Sequence, residues 1–398
     1  MASQPQPIYR INLRWFRIFY WPLLLPVALL LALFNKVSPV PFKIYVLRVD
    51  RVGQMAGNQE EIMCEFDLGL RPREYRVFVH RDRPSNSVLM DMQKRVLPIY
   101  QIFLPLFDVC HKLGGLGVSS MELAGISGFD ALQLTSKTKQ HLDFTPGEIE
   151  QAERECRELG IDPHKPFIPV LSRDASYLKS LQEPTDNDSY RNVDINTFVP
   201  AMEYLADRFQ VMRVGSVVNS TMNTTHKGIF DYSLSGKRSD LLDVFFSAKC
   251  HFFFSCGTGL DSITSCCFRK PVLYVNFTPV SVLPILKPWT LLIPKKYWHL
   301  DEQRYLRLSE LLETGIADLY TPRALNPHRV VIHDNTPEEV LEAAKEMEAR
   351  LDGTWVETEE AREMQAKFWS FYRNQSSDHV CVGRIGTHFL KNNPNWLE

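Results

Sequence analysis

From Phe42 onwards, short apolar segments alternate with longer segments of helical pattern, and this alternation restricts the fold more than any other feature. The apolar segments include FKIYVLRV from Phe42, EYRVFVH from Glu74, PFIPVLS from Pro166, HFFFS from His251 and PVLYVNF from Pro271. Short strands separated by helices are typical of parallel sheets built from β-α-β units. The sequence therefore predicts an α/β protein.

Two stretches repeat the tripeptide Arg-Val-Gly at the end of a predicted strand, VDRVGQ at 49–54 and VMRVGS at 211–216. This repetition fits two related Rossmann-like domains that face each other across a cleft. We place these domains at 42–162 and 163–352. The last segment, 353–398, is predicted to form C-terminal helices that pack back on the N-terminal domain.

Two predicted helices have clear start signals. Thr145 and Thr336 each precede a proline and stand three positions before a glutamate, which is the pattern of a capping box. Further helices are predicted near 85–95, 197–208 and 239–248, from about 259, and at 357–373.

The segment before Phe42 has a different character. Ile18 to Phe34 contains no charged residue, and it is flanked by Arg10, Arg14 and Arg17 on one side and by Lys36 and Lys43 on the other. A membrane-spanning helix needs about 20 apolar residues, and Pro22 and Pro26 would bend this one. We predict that residues 1–41 are a basic N-terminus and a membrane anchor, with residues 15–36 embedded in the membrane. Whether the anchor spans the bilayer or is re-entrant stays open.

Bulk composition excludes several classes of protein. The net charge of −2 argues against a nucleic-acid-binding protein. None of the eight cysteines forms a C-x-x-C pair, so neither a zinc site nor a disulfide framework is predicted. The triplet DND at 186–188 imitates a metal-binding acidic motif, but its polar surroundings favour a solvated loop, and we predict no metal site.

A run of small residues, SCGTG at 255–259, follows the predicted strand HFFFS. Glycine permits unusual backbone angles and close approach, and a helix that starts after the loop directs free N–H groups towards an anion. Polar residues also follow three other predicted strands, in SRDASY at 172–177, RVGS at 213–216 and NFT at 276–278. We expect these strand ends to hold a diphosphate. The predicted binding residues are Arg173, Arg213, Gly215, Ser255, Gly257, Thr258, Gly259 and Asn276.

Common nucleotide and hydrolase motifs are missing from the sequence. No G-x-G-x-x-G follows the first strand of either predicted domain, and no G-x-x-x-x-G-K-[ST] occurs. No G-x-S-x-G motif supports a hydrolase. A dinucleotide-dependent enzyme, a P-loop nucleotidase and a serine hydrolase are therefore not predicted, and no cofactor is expected.

Several stretches together resemble a family of bacterial glycosyltransferases associated with O-antigen and other surface-polysaccharide gene clusters. They are VDRVGQMAGNQE, VLSRDASYL, RNVDI, VMRVG, FDYSLSGKRSDLLDVFFSAKCHFFFSCGTGLDSI and the ending FLKNNPNWLE. The resemblance runs from about residue 43 to the C-terminus. It implies the two-domain GT-B architecture, a nucleotide-sugar donor on the C-terminal half, an acceptor on the N-terminal half, and transfer without a metal ion.

The same resemblance suggests roles for residues on the acceptor side. Arg51, Gly53, Gln54 and Asn58 form the predicted acceptor loop. The loop also distantly resembles that of heptosyltransferases, in which a carboxylate base follows the loop glycine, but here that residue is Gln54. For the base we consider Asp174, which could instead orient Arg173, and, on the facing domain, Glu60 and Glu61.

The predicted function is transfer of a sugar from a nucleotide-sugar donor to a membrane-linked glycan in surface-polysaccharide biosynthesis. We expect a lipid-linked glycan as the acceptor. We also expect the enzyme to be membrane-associated through residues 15–36, with its catalytic domain on the cytoplasmic side of the inner membrane. One alternative is a non-catalytic scaffold that binds a nucleotide sugar or glycan. Another is a Golgi-type type II membrane glycosyltransferase, which N-x-[ST] sites at 187, 219, 223, 276 and 374 favour.

Overall fold

The computed structural model describes residues 14–120, 130, 132–174, 190–216, 218, 220–373 and 383–398. Within these ranges the chain forms an α/β structure with mostly parallel strands. The helices are α1 (Arg14–Val37), α2 (Val52–Asp67), α3 (Ser87–Lys94), α4 (Leu104–Lys112), α5 (Leu134–Lys137), α6 (Pro146–Glu158), α7 (Val199–Ala206), α8 (Asp240–Lys249), α9 (Leu308–Glu313), α10 (Pro322–Leu325), α11 (Pro337–Leu351), α12 (Glu359–Arg373) and α13 (Thr387–Asn392). The strands are β1 (Phe42–Val46), β2 (Tyr75–Val79), β3 (Ser119–Ser120), β4 (Phe167–Leu171), β5 (Gln210–Arg213), β6 (Ile229–Asp231), β7 (Phe253–Ser255), β8 (Val272–Phe277), β9 (Thr290–Pro294), β10 (Lys296–His299), β11 (Arg304–Tyr305), β12 (Val330–His333) and β13 (Arg384–Ile385).

The N-terminal half contains a small parallel sheet in the order β2-β1-β3. Ile44 on β1 pairs with Val77 on β2, and both side chains are buried. Helix α2 contributes Met55 and Ala56 to a core that also contains Ile263 and Cys267 from the C-terminal half. The two halves of the chain therefore share apolar packing along α2.

The C-terminal half contains a seven-stranded sheet in the order β13-β9-β8-β7-β4-β5-β6, and its neighbouring strands are parallel. Phe252, Phe253 and Phe254 are fully buried. A strand covered on both faces is expected to have such a continuous apolar run. A separate antiparallel sheet, β11-β10-β12, follows in the chain.

The predicted helix starts are confirmed. Thr145 and Glu148 form a complete capping box at α6, and Thr336 and Glu339 form another at α11. The helix predicted from about 259 is present as a short segment, and its part from Ile263 to Cys267 is π-helical.

The C-terminal segment packs on the C-terminal half, contrary to the prediction that it returns to the N-terminal domain. Strand β13 pairs with β9 at the edge of the large sheet. The Tyr372 hydroxyl donates to the Val280 carbonyl at 2.7 Å, and Phe368 and Trp396 stack within the same core. These aromatic side chains bury their apolar surface in the core of the C-terminal half, and this packing holds the C-terminal segment on that half. The domain boundaries themselves stay predictions.

Helix α1 covers the predicted anchor. It contains Pro22 and Pro26 and packs against α4, where Ala28 is fully buried. The Asn35 side chain turns the chain into β1 by accepting from the Phe42 amide at 2.7 Å and donating to the Phe42 carbonyl at 2.8 Å. Among the helices that the structure describes, none is long and apolar enough to cross a membrane.

Candidate active site

A cleft of about 770 Å³ lies between the two halves. Its walls are built at the carboxyl ends of parallel strands, including the residues that follow β4, β5 and β7. Ligands of open α/β sheets bind at this edge, and the volume is in the usual range for a small-molecule site. The cleft is therefore the candidate active site.

Nine of the fifteen predicted site residues line the cleft. They are Arg51, Gly53, Gln54, Asn58, Arg173, Asp174, Gly215, Thr258 and Gly259. The other six are not part of its lining. They are Glu60, Glu61, Arg213, Ser255, Gly257 and Asn276. The predicted acceptor loop and the small-residue loop thus lie on the same cleft. Two of the three candidate bases, Glu60 and Glu61, lie outside its lining.

The small-residue loop satisfies its own N–H groups. The Gly257 amide donates to the Ser255 hydroxyl at 3.2 Å, and the Thr258 amide donates to Asp261 Oδ2 at 2.6 Å. Ser255 donates to the same carboxylate oxygen at 2.5 Å. The N–H groups of Gly257 and Thr258, which we expected to bind a diphosphate together with that of Gly259, therefore already have acceptors within the turn.

The glycines of the loop are required for close packing. Gly257 has a φ of +84°, and a Cβ there would lie 2.9 Å from Phe277 Cε2. At Gly259 a Cβ would lie 2.8 Å from the Gly53 backbone nitrogen, and at Gly53 it would lie 2.8 Å from Gly259 Cα. Side chains cannot be accommodated at such distances. The loop therefore allows the start of α2 to contact the C-terminal half backbone to backbone.

Arg213 does not reach the cleft, contrary to prediction. It is fully buried at the end of β5, where it pairs in register with Asp231 on β6. Its Nη1 donates to the Ser220 carbonyl at 2.5 Å and lies 3.5 Å from Asp231 Oδ2. The neighbouring strand therefore provides the partner that we had expected from a ligand.

Asn276 is also a structural residue rather than a donor-binding one. It has a φ of +54° and is fully buried. Its backbone N–H donates to Asn335 Oδ1 at 2.6 Å, and its own Oδ1 accepts from the Asn335 N–H at 2.5 Å. This reciprocal pair joins the end of β8 to the start of α11.

Glu60 and Glu61 point into the protein and cannot act as bases in the cleft. Glu60 Oε1 accepts from His141 Nδ1 and from Arg269 Nη1, both at 2.7 Å. Glu61 Oε2 accepts from the Asp130 amide at 3.2 Å. Both glutamates are buried because α2 lies between the two halves.

Glu60, Cys64 and His141 have ligand atoms within 4.8 Å of one another, which is a spacing that suits a metal ion. However, the Arg269 guanidinium already pairs with Glu60. Burial raises the pKa of the Cys64 thiol to about 12, so it stays protonated. The Arg269 guanidinium would repel a cation at this carboxylate. We therefore describe the cluster as an ion-pair network between the halves.

Six cationic side chains line the cleft, against four carboxylates. The cations are Arg48, Arg51, Arg173, Arg191, Arg238 and Lys287, and the acids are Asp130, Asp174, Asp240 and Asp243. No local sequence pattern marks Arg191, Arg238 or Lys287 as cleft residues, because long-range packing brings each of them there. Arg191 donates to the Gly257 carbonyl at 2.8 Å, Arg238 pairs with Asp243 at 2.5 Å, and Lys287 pairs with Asp130.

Two of the buried acids near this site have raised pKa values. Burial raises the pKa of Asp243 to about 6, although the Arg238 guanidinium opposes this effect. Burial also raises the pKa of Asp261 to about 6, against the hydrogen bonds from Ser255 and Thr258. In both cases burial is the largest cause and outweighs the neighbouring hydrogen-bond donors.

Unsatisfied polar atoms occur on both walls of the cleft. Ser172 Oγ and Thr290 Oγ1 belong to residues that are 3% exposed, and neither hydroxyl has a hydrogen-bond partner among the described residues. On the facing wall, Gln54 Oε1 is buried and likewise lacks a partner within the described chain. Buried polar atoms are normally satisfied. These three atoms leave hydrogen-bonding capacity on both walls of the cleft.

Comparisons with known proteins give only distant likenesses. No family model matches the chain, and no curated protein matches it. The solved structures that resemble it include the E. coli ADP-heptose LPS heptosyltransferase II, with 13% identity, 78% of this chain and 100% of that chain covered, and a TM-score of 0.45. A glycosyl transferase family 9 protein from Veillonella parvula has 10% identity, coverage of 79% and 99%, and a TM-score of 0.45. The iron-containing dodecameric glycosyltransferase TibC from enterotoxigenic E. coli has 10% identity, coverage of 64% and 63%, and a TM-score of 0.33. Similarity at this level does not assign an activity to the chain.

Proposed function

We propose that this protein is a glycosyltransferase of GT-B type that moves a sugar from a nucleotide-sugar donor to a glycan acceptor. The observation that carries the proposal is the cleft, in which both halves present cations and unsatisfied polar atoms. A nucleotide sugar has a charged diphosphate and many hydroxyl groups, and this lining suits both.

The C-terminal wall is the proposed donor side. Ser172 and Arg173 follow β4 directly, and Thr258 and Gly259 lie beside them in the cleft lining. Sugar transfer requires the leaving diphosphate to be neutralised, and an arginine fork binds phosphate oxygens at two points. Arg173 has this role in the proposal, and Arg191 is the second cation on the same side.

The N-terminal wall is the proposed acceptor side, through Arg51, Gln54 and Asn58. Of the three predicted bases, only Asp174 lines the cleft. Its Oδ2 accepts from the Ser220 hydroxyl at 3.2 Å. Asp174 is therefore the proposed base or, by orienting Arg173, a positioning residue.

Binding of nucleoside diphosphates to the purified full-length chain tests the donor assignment. Arg173→Ala should weaken binding by about 1.5–3 kcal/mol, the range for hydrogen bonds to charged groups, and Arg173→Lys should restore it only in part. Arg329→Ala is the matched control, since its side chain is 59% exposed and pairs with Asp301 outside the cleft. Calorimetry in which wild type binds no nucleoside diphosphate, or in which Arg173→Ala binds like wild type, would contradict the proposal.

The proposal includes catalysis without a metal ion, through positive side chains that stabilise the diphosphate. Donor turnover should accordingly persist in the presence of a chelator. Complete loss of turnover that manganese or magnesium restores would contradict metal independence. The DND triplet at 186–188 lies outside the described residues.

The cellular setting is part of the same proposal. We assign the acceptor to a lipid-linked glycan of surface-polysaccharide biosynthesis, and the enzyme to the cytoplasmic side of the inner membrane, attached through residues 15–36. The Golgi alternative loses one of its signals, because Asn276 is fully buried and inaccessible to glycosylation in the folded protein. Asn187, Asn219 and Asn374 lie outside the described residues.

A non-catalytic scaffold is the second candidate. It is favoured by the burial of Glu60 and Glu61 and by Gln54 at the loop position where the resembling enzymes have a carboxylate. Measurement of turnover separates the two, because a scaffold binds nucleotide sugars without consuming them.

A further inference from the structure

Helix α1 has two apolar faces, and the protein covers one of them. Leu24, Ala28 and Leu31 pack against α4, where they meet Leu106 and Cys110. At the edge of this face, Lys112 Nζ lies 5.3 Å from the centre of the Trp21 ring. This face fixes the helix to the N-terminal half.

The other face of α1 carries an apolar stripe that no described residue covers. It consists of Leu23, Val27, Leu30, Phe34 and Val37, which follow one another at helical spacing and are between 40% and 76% exposed. Leu29 and Leu33 widen it, at 51% and 59% exposed. A helix that is apolar all round is normally buried on every side, and a contiguous exposed patch of this kind marks an interaction surface.

The charges that flank this stripe in the sequence have one sign. They are Arg10, Arg14 and Arg17 before the apolar run and Lys36 and Lys43 after it, and residues 1–49 contain no aspartate or glutamate. A basic flank on an apolar helix face favours the headgroup region of an anionic bilayer. The same basic flank disfavours a dimer in which two copies pair through this stripe. Such a dimer would bring two positively charged N-terminal segments together, and like charges repel.

We propose that the α1 stripe binds the surface of an anionic phospholipid bilayer, with the helix in the plane of the membrane and its other face still on α4. We place the contact at the surface of the bilayer because Leu24, Ala28 and Leu31 hold the opposite face of α1 on α4. The inference rests on the membrane attachment through residues 15–36 proposed above and specifies its chemistry. It is separate from sugar transfer, since it concerns a surface outside the cleft.

Flotation of the purified full-length chain with vesicles tests this inference. One set of vesicles contains phosphatidylcholine alone, and the other contains phosphatidylcholine and phosphatidylglycerol. Wild type should float with the anionic vesicles and only weakly with the neutral ones. The double substitution Leu30→Glu and Leu33→Glu should reduce the bound fraction at least about tenfold, because it removes two apolar contacts and adds two negative charges.

Val356→Glu is the matched control, since Val356 is 80% exposed on the C-terminal half. It should float like wild type, and thermal unfolding should show that all variants are folded. The inference is overturned if wild type ignores anionic vesicles or if the double variant binds them equally well. It is also overturned if wild type is a dimer that the double variant converts to a monomer without any lipid-dependent difference. Loss of nucleotide binding would be a separate result, and it would concern the cleft alone.

Discussion

Residues 51–53 and 213–215 both read Arg-Val-Gly, but their arginines have different environments. Arg51 lies beyond the end of β1, precedes α2 and lines the cleft with its side chain 35% exposed. Arg213 is the last residue of β5, is fully buried and pairs with Asp231 on the next strand. An arginine that is still part of a paired strand contacts the neighbouring strand, as Arg213 does. An arginine that follows the end of its strand, such as Arg51, can contact a ligand.

The two glycines differ as well. Gly53 lies in the first turn of α2, against the Gly259 backbone of the other half. Gly215 has a φ of +140° and lines the cleft beside Leu171. One glycine permits contact between the halves, and the other permits a turn after a strand. The shared tripeptide therefore does not establish a shared role.

The arginines should differ most in their contribution to stability. Arg213→Met removes the buried cation that pairs with the Ser220 carbonyl and with Asp231. We expect it to lower the free energy of unfolding by about 3 kcal/mol. This is the lower end of the range for breaking a buried pair, because Asp231 is 22% exposed. Arg51→Met should change it by less than about 0.5 kcal/mol. Denaturant unfolding of both variants is the measurement, and equal losses would show that the two environments are equivalent.

The glycine contact should be the next largest effect. Gly53→Ala places a Cβ 2.8 Å from Gly259 Cα, so the halves must separate slightly. Overpacking of this kind costs about 1–3 kcal/mol. Gly57→Ala is the control on the same helix, where no atom lies within 4 Å of the new Cβ, and it should stabilise α2 by up to about 1 kcal/mol. If both alanine variants are equally stable, the backbone contact does not hold the halves together.

Local sequence signals predicted most of the fold. Apolar runs located β1, β4, β7 and β8, and the Thr-Pro pattern located the starts of α6 and α11. These features depend on neighbouring residues only. The parallel alternation also placed the cleft at the correct edge of the sheets.

The site was harder to predict, because residues far away in the sequence decide which polar side chains face the cleft and which are buried. Arg213 is turned inward by Asp231, which lies on a three-residue strand with no apolar alternation. Asn276 is paired with Asn335, 59 positions away, and Glu60 is paired with Arg269 from the other half. No local pattern distinguishes such residues from cleft residues such as Arg173.

The smallest expected effect is a pH-dependent change in stability at His141. This residue contacts α2 at a second place, away from the glycine contact. His141 directs Nδ1 to Glu60 at 2.7 Å and Nε2 to Asp67 at 3.0 Å, so only the doubly protonated ring donates to both. Burial lowers the pKa of His141, but the hydrogen bonds and charges of Glu60 and Asp67 outweigh burial and raise it above its ordinary value of 6.5.

A pKa that is higher in the folded state stabilises the protein when the ring is protonated. This stabilisation is fully present below pH 6.5 and is lost as the pH rises through the folded pKa. His141→Gln should therefore remove up to about 1 kcal/mol of stability at low pH and flatten the pH dependence above 6.5, because a paired charge at a partly exposed site is worth about this much. Unfolding measured across this pH range checks the slope. Gly53→Ala is the control, since its loss comes from steric contact and should be the same at every pH. If the slope of His141→Gln matches that of wild type, the charged network does not contribute to holding α2, and the backbone contact at Gly53 is the stronger link between the halves.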